Sequence, residues 1–286
     1  MTSPATEISK SENRALRPFF LRDGAGTRIY GVLLRNLYLL KGSIPRLIDL
    51  FYWPTLNMLI WGFFNYYLTK QITGIGLVAG TFLGAAMMWD IFVRSQLNVM
   101  RPFMEELWSR NLGAVFVSPI SPFEYAIGLV ALSIITTIIA MGVCVIAAEL
   151  IFGFWLPGLG WGLAGFVFNL AMAGWWGGFL LIAMLLRFGS ASEWLAWMLS
   201  FVFAPLVGVY YPISVLPSWL QPISNLLPPT YVFEGLRELL NHHSVHYDLM
   251  LYAFLLNLVF LGFSGFVFLR TFENTRRRSG LLQVAE

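Results

Sequence analysis

The sequence predicts an all-α integral membrane protein: six transmembrane helices, an N-terminal interfacial helix, and a re-entrant helical hairpin between the fifth and sixth spans. Three observations predict this class. Apolar residues make up 58% of the 286 and charged residues only 12%, against about 25% charged in soluble domains. Charge-poor stretches recur at lengths near the roughly 20 residues that a helix needs to cross hydrocarbon. Finally, the forty residues from Trp194 to Phe233 hold no Asp, Glu, Lys or Arg but do hold six prolines. That stretch is too long for one span and too often broken for two, since each proline removes a backbone donor and crowds the preceding turn.

From the N-terminus, Thr27 to Ser43 reads as a helix with Ile29, Tyr30, Leu33, Leu37 and Leu40 along one side, and Arg28, Arg35 and Lys41 off that stripe. The pattern suits a helix lying in the membrane interface; a basic flank of the first span is the plainer alternative. It closes a cytoplasmic segment, residues 1–46, ahead of a transmembrane domain over 47–270 and a basic cytoplasmic tail over 271–286. The spans are expected at Leu47–Leu68, Ile72–Val93, Phe123–Phe152, Trp161–Leu186, Glu193–Tyr211 and Leu249–Leu269. Only Thr69, Lys70 and Gln71 separate the first two, as in a tight hairpin. The third is long enough to tilt or project from the bilayer.

After the fifth span, Pro212, Pro217, Pro222, Pro228 and Pro229 leave room only for short broken helices that dip back into the bilayer. Irregular backbone at that depth persists only where protein or a water-filled path surrounds it, which points to a conduit. Leu216–Pro222, with Trp219, and Thr230–Leu240, with Tyr231, are the two expected helices. Glu234 and Arg237 stand three apart, share a face, and can pair. An extracytoplasmic loop anchored by aromatics is the alternative.

The basic residues set the orientation. With the N-terminus inside, all but Lys70 and Arg237 of the 18 Lys and Arg fall on the cytoplasmic side. The excess of +3 is then explained by topology, and no nucleic-acid partner is needed. Ser121-Pro122-Phe123-Glu124 and Ser190-Ala191-Ser192-Glu193 both read as capping boxes at inner helix starts. Gly80/Gly84, Gly158/Gly162 and Gly174/Gly178 have the four-residue spacing that lets helices approach closely in lipid. Cys144 stands alone, which excludes an intrachain disulfide, and the N-terminus lacks the pattern of a cleaved signal peptide.

The largest charged inner loop runs from Arg94 to Ser121. Within it, Pro102 to Leu112 reads as a short amphipathic helix, begun by proline, acidic in its first turn and basic near its end. Phe103 and Trp108, expected to be exposed beside Glu105, Glu106 and Arg110, offer a docking surface for a soluble partner; a plain solvated loop is the alternative.

Two of these stretches together resemble a known family. Tyr211-Pro212-Ile213-Ser214-Val215-Leu216-Pro217, through Pro228-Pro229-Thr230-Tyr231 to Glu234 and Arg237, looks like the C-terminal hallmark of ABC-2 type transporter permeases. Val117-Ser118-Pro119-Ile120-Ser121-Pro122-Phe123-Glu124 resembles the segment before that family's third span, and the resemblance covers about residues 27–270. It implies a type V exporter fold of two permease chains and two ATP-binding-cassette subunits in the bacterial inner membrane. The Glu105–Asn111 region would then be a coupling helix, Thr27–Ser43 the connecting helix, and Leu216–Leu240 the gate hairpin. The resemblance further implies export of an amphipathic or lipid-linked substrate, or efflux of drugs and small molecules.

Several chemistries are missing. A P-loop needs Gly-x-x-x-x-Gly-Lys-Ser/Thr, and the lysines here, Lys10, Lys41 and Lys70, follow no such run. ATP and Mg are therefore expected on the partner subunit, with no cofactor on this chain and no catalysis by it. His242 and His246 are four apart but lack the further ligands of a metal site, so no metal is expected. Asp90 and Arg94 are expected to pair at the inner end of the second span, and only Asn57, Asn65 and Asn169 lie mid-membrane, which disfavours proton coupling. An integral-membrane enzyme acting on lipid would need clustered acids or histidines; Glu105, Glu106 and Glu124 form no such pattern. The spans hold many aromatics, among them Trp61, Trp175, Trp176, Trp194 and Trp197; those near span ends suit interfacial belts, and a minority could line a path for a sugar or an amphipathic molecule.

Overall fold

The computed structural model describes residues 24–71, 81–109, 111–242 and 245–277. In chain order the helices are α1 (Ala25–Lys41), α2 (Ile44–Gln71), α3 (Thr81–Trp108), α4 (Leu112–Val117), α5 (Pro122–Phe152), α6 (Gly162–Phe188), α7 (Trp194–Leu206), α8 (Gln221–Asn225), α9 (Pro228–His242) and α10 (Tyr247–Arg277). Short 3₁₀ turns lie at Leu156–Leu159, Ser190–Ser192 and Ile213–Val215, and no strand occurs among the described residues. Among the described residues four helices are long and apolar enough to cross a membrane: α2, α5, α6 and α10.

Helix α6 is the centre. Of its most apolar window 78% is buried inside the protein, against 22% for α2 and for α10, so α6 is the core and the other two form the periphery. It packs most extensively on α3 and α10. The α3 contact depends on Gly174 and Gly178. A Cβ at Gly174 would stand 2.5 Å from Ser95 Cβ and 2.6 Å from the Phe92 carbonyl oxygen, and one at Gly178 would stand 2.9 Å from the Gln96 carbonyl oxygen. Of the three glycine pairs named above, this one brings two helix backbones together. Gly84 and Gly158 meet only side chains, Gly162 meets Val245, and Gly80 lies outside the described residues.

On its other side α6 meets α10 through a buried polar network. Asn257 Nδ2 donates to the Asn169 carbonyl at 3.0 Å and to Asn169 Oδ1 at 3.1 Å. Trp176 Nε1 donates to Asn257 Oδ1 at 3.0 Å. Amides buried among apolar side chains are tolerable when each finds partners, and in this cluster Asn169 also donates to the Gly165 carbonyl at 2.9 Å.

Helix α5 starts as its sequence requires. The Ser121 hydroxyl accepts from the Glu124 amide at 3.2 Å, and Glu124 Oε2 accepts from the Ser121 amide at 3.0 Å, a complete capping box with Pro122 in the first turn. Its 31 residues span about 46 Å at 1.5 Å per residue, well beyond the hydrocarbon thickness of about 30 Å. Helix α1 crosses α5 at Gly128, where a Cβ would stand 2.7 Å from Val32 Cγ1. Arg28 fixes the crossing, donating to Glu124 from Nε at 2.9 Å and from Nη2 at 2.6 Å. The side of α1 turned to α5 carries Arg28, Val32 and Asn36, while Tyr30 and Tyr38 are exposed.

Other sequence expectations also change. Helix α2 runs through Thr69, Lys70 and Gln71, so the first turn is not there; residues 72–80, the start of the expected second span, lie outside the description. The expected fifth span shrinks to the 13 residues of α7, about 20 Å, because Pro205 ends the backbone ladder. Glu193, not Ser190, is its N-cap, without a side-chain bond, so the second capping box does not form. Asp90 does not pair with Arg94. Instead Asn57 Nδ2 donates to Asp90 Oδ1 at 3.2 Å.

Candidate functional site

Two regions singled out by the sequence lie at opposite ends of α3. At its C-terminal end, Pro102 does not begin a helix but sits inside one 28-residue helix. The lost backbone bond is offset by the burial of Phe103, Met104 and Leu107 in a cluster with Phe179 and Ile182. Phe103 is 0% exposed, which overturns its expected place on a docking surface. Glu105 and Glu106 face their own chain as well. Arg46 Nη2 lies 2.9 Å from Glu105 Oε2, and Arg35 pairs with Glu106. That carboxylate also accepts from Asn111 Nδ2 at 2.8 Å, and its hydrogen bond holds the Arg35 guanidinium above its ordinary pKa. Trp108 alone of this group projects, 55% exposed, with Nε1 donating to Glu193 Oε2 at 3.1 Å. Arg110 lies outside the described residues.

The proline-rich region closes over the other end. Its first turn follows α7: Val207 and Val209 are buried, and Gly208 takes φ 62°, where a Cβ would meet the Tyr211 carbonyl oxygen at 2.6 Å. The Glu234/Arg237 pair forms as the spacing predicts, with Arg237 Nη1 2.9 Å from Glu234 Oε2. Both partners also clamp that turn. Arg237 Nη2 donates to the Gly208 carbonyl and, at 2.7 Å, to the Tyr211 carbonyl. Glu234 Oε1 accepts from the Ile213 amide at 3.1 Å. One ion pair on α9 thus satisfies three backbone groups of a loop that no helix would satisfy.

Helix α9 contains the expected second helix, Thr230–Leu240, whereas α8 shares only Gln221 and Pro222 with the expected Leu216–Pro222, whose first five residues form turns because Pro217 and Pro222 interrupt the ladder. Tyr231 Oη donates to the Asn225 carbonyl at 2.9 Å, and Thr230 Oγ1 donates to the Ser224 carbonyl at 2.7 Å, which holds α8 against the start of α9. Pro228 and Pro229 are buried there, whereas Pro217, Pro222 and Trp219, the last 71% exposed, form an apolar rim. Helix α9 packs inward through Val232, Phe233, Leu236, Leu239 and Leu240. Phe233 reaches Trp89 of α3 at 6.1 Å between ring centres, and Tyr210 of the clamped turn stacks on Trp61 of α2 at 4.0 Å and 20°. His246 Nδ1 lies 3.7 Å from Asp248 Oδ1; the side chains of His242 and His243 are not described.

The architecture is now specific enough to compare with known proteins. The model of the ABC-2 type transporter family matches residues 44–241. This chain belongs to the ABC-2 type transporter family. The match runs from the start of α2 into the end of α9, so it takes in both ends of α3 and the whole clamped hairpin, while α1 and α10 lie outside it. No curated protein matches the chain. Family membership makes this ABC-2 protein a multi-pass transporter permease subunit, and its apolar helices agree with that role.

Proposed function

We propose that this ABC-2 permease is the membrane half of an ATP-driven exporter. In this reading two copies form the pathway, and each docks one ATP-binding-cassette subunit that carries ATP and Mg. It has six spans, both termini on the cytoplasmic side of a bacterial inner membrane, and residues 208–240 re-entering from the far side as a gate. The substrate class is amphipathic or lipid-linked; efflux of drugs or other small molecules by the same fold is the second reading.

The observation that carries this is the continuity of α3. A single helix of about 42 Å has its N-terminal half under the clamped hairpin and its C-terminal end at exposed Trp108. Movement imposed at Trp108 therefore travels along one continuous helix, past the packed Pro102 turn, to Trp89 and Phe233. The docking surface in this reading is Trp108 with the chain after it. Phe103, Glu105 and Glu106 act behind it, holding that end of α3 to α1 and α2.

The test is co-expression with a cognate ATP-binding-cassette subunit. Trp108→Glu should leave membrane insertion and expression intact while removing assembly or permease-stimulated ATPase activity. Wild-type assembly and ATPase activity in that variant would refute the docking assignment.

A further inference from the structure

Beneath α1 lies a small polar cleft that the permease reading does not use. It has a volume of ≈ 70 Å³ and lies between α1, α2, α3 and α5. That volume is more than one ordered water needs, and it leaves room for a small anionic group. Its charged lining is Arg46, Asp49, Arg94, Arg101 and Glu105, beside the neutral polar Asn36, Asn98 and Thr136. Two guanidiniums already have carboxylate partners, Arg46 with Glu105 and Arg101 with Asp49.

Arg94 has no such partner. It is 4% exposed, its Nη1 makes only a long 3.4 Å bond to the Asp49 carbonyl, and its Nε has no hydrogen-bond partner. A buried guanidinium in that state is costly unless an anion completes it. The nearest further carboxylate along α3, Asp90, lies one turn deeper, accepts from Asn57, and does not line the cleft. Guanidinium groups match phosphate oxygens in charge and in the spacing of their donors.

We propose that this cleft binds a phosphate-bearing headgroup, with Arg94 as its central ligand and Arg46 and Arg101 flanking it. Asn98, whose Nδ2 donates to Thr137 Oγ1 at 3.2 Å, is a fourth donor within the lining. The amphipathic α1 lies along the cleft, with Asn36, Leu39 and Leu40 on its wall. Read as an interfacial helix, α1 sets the cleft at headgroup depth, where anionic phospholipid is the abundant phosphate; the phosphate of a transported molecule is the other source. The inference does not require the chain to be an exporter.

The experiment is native mass spectrometry of the purified full chain in detergent, with phosphatidylglycerol, phosphatidylcholine and inorganic phosphate as separate additions. The wild-type chain should retain one phosphatidylglycerol in preference to phosphatidylcholine. Arg94→Gln should weaken that binding at least about ten-fold, the loss expected for one charge-assisted contact. Arg187→Gln, which removes an exposed cation elsewhere on α6, should leave it unchanged. Thr136→Leu fills the cleft wall without touching a charge and should also displace the lipid, which decides the matter if Arg94→Gln does not fold. Binding of inorganic phosphate without phosphatidylglycerol, lost in Arg94→Gln, supports the same site with a soluble phosphate as its source. Equal retention in wild type, Arg94→Gln and Thr136→Leu, or no retention of either ligand by wild type, overturns the proposal.

Discussion

The two ends of α3 use buried charge differently. At the C-terminal end, Arg35, Arg46 and Arg101 meet Glu106, Glu105 and Asp49, so side chain pairs with side chain and helix is tied to helix. At the hairpin, Glu234 and Arg237 spend most of their hydrogen bonds on the backbone of residues 208–213. Ion pairs between helices can be exchanged as the helices turn against one another. A carboxylate and a guanidinium that satisfy orphaned carbonyls and an amide instead fix one loop shape, because releasing them leaves backbone groups bare in an apolar setting. The C-terminal end of α3 is thus held by contacts between helices, and the loop after α7 by contacts to its own backbone.

The sharpest way to break this contrast is Phe103→Ala. A core phenylalanine truncated to alanine costs about 3–5 kcal/mol, so the detergent-solubilised variant should melt well below wild type or fail to accumulate. Unchanged melting would place Phe103 on a surface after all. Arg237→Met comes next, at about 2–3 kcal/mol for the loss of charge-assisted bonds to the Gly208 and Tyr211 carbonyls. Protease sensitivity should rise selectively within residues 208–226; a uniform rise along the chain would mean that the clamp is not local. Trp108→Ala should be smallest, within about 0.5 kcal/mol as for other exposed positions. It should abolish ATPase-subunit binding all the same, and a large drop in its melting temperature would undo the division between holding and docking residues.

What the sequence made legible was mostly local. The Ser121 capping box, the Glu234/Arg237 pair and the Gly174/Gly178 contact all follow from residues three or four apart, where helical geometry fixes who can meet whom. The hairpin's broken character was equally plain, since five prolines after α7 permit little else. The misreadings came from distance and burial. Nothing local says that Arg28 will reach Glu124, 96 residues away, or that Asn257, a lone polar residue in an apolar run, will join Asn169 and Trp176. Pro102 read as a helix start because it usually is one; the burial of Phe103 and Leu107, visible only in three dimensions, carries the helix through it. Asp90 and Arg94 had the right spacing to pair, yet the amide of Asn57 on α2 took the carboxylate.

The glycine contact between α3 and α6 also limits how the protein can move. With Gly174 and Gly178 seated against the Phe92 and Gln96 main chain, neither helix can creep along the other by a small step, because larger side chains flank both notches. A slip would have to advance by a whole helical pitch, about 5.4 Å. The two helices therefore travel as a single plate, and α10 is bound to that plate through the Asn257 network.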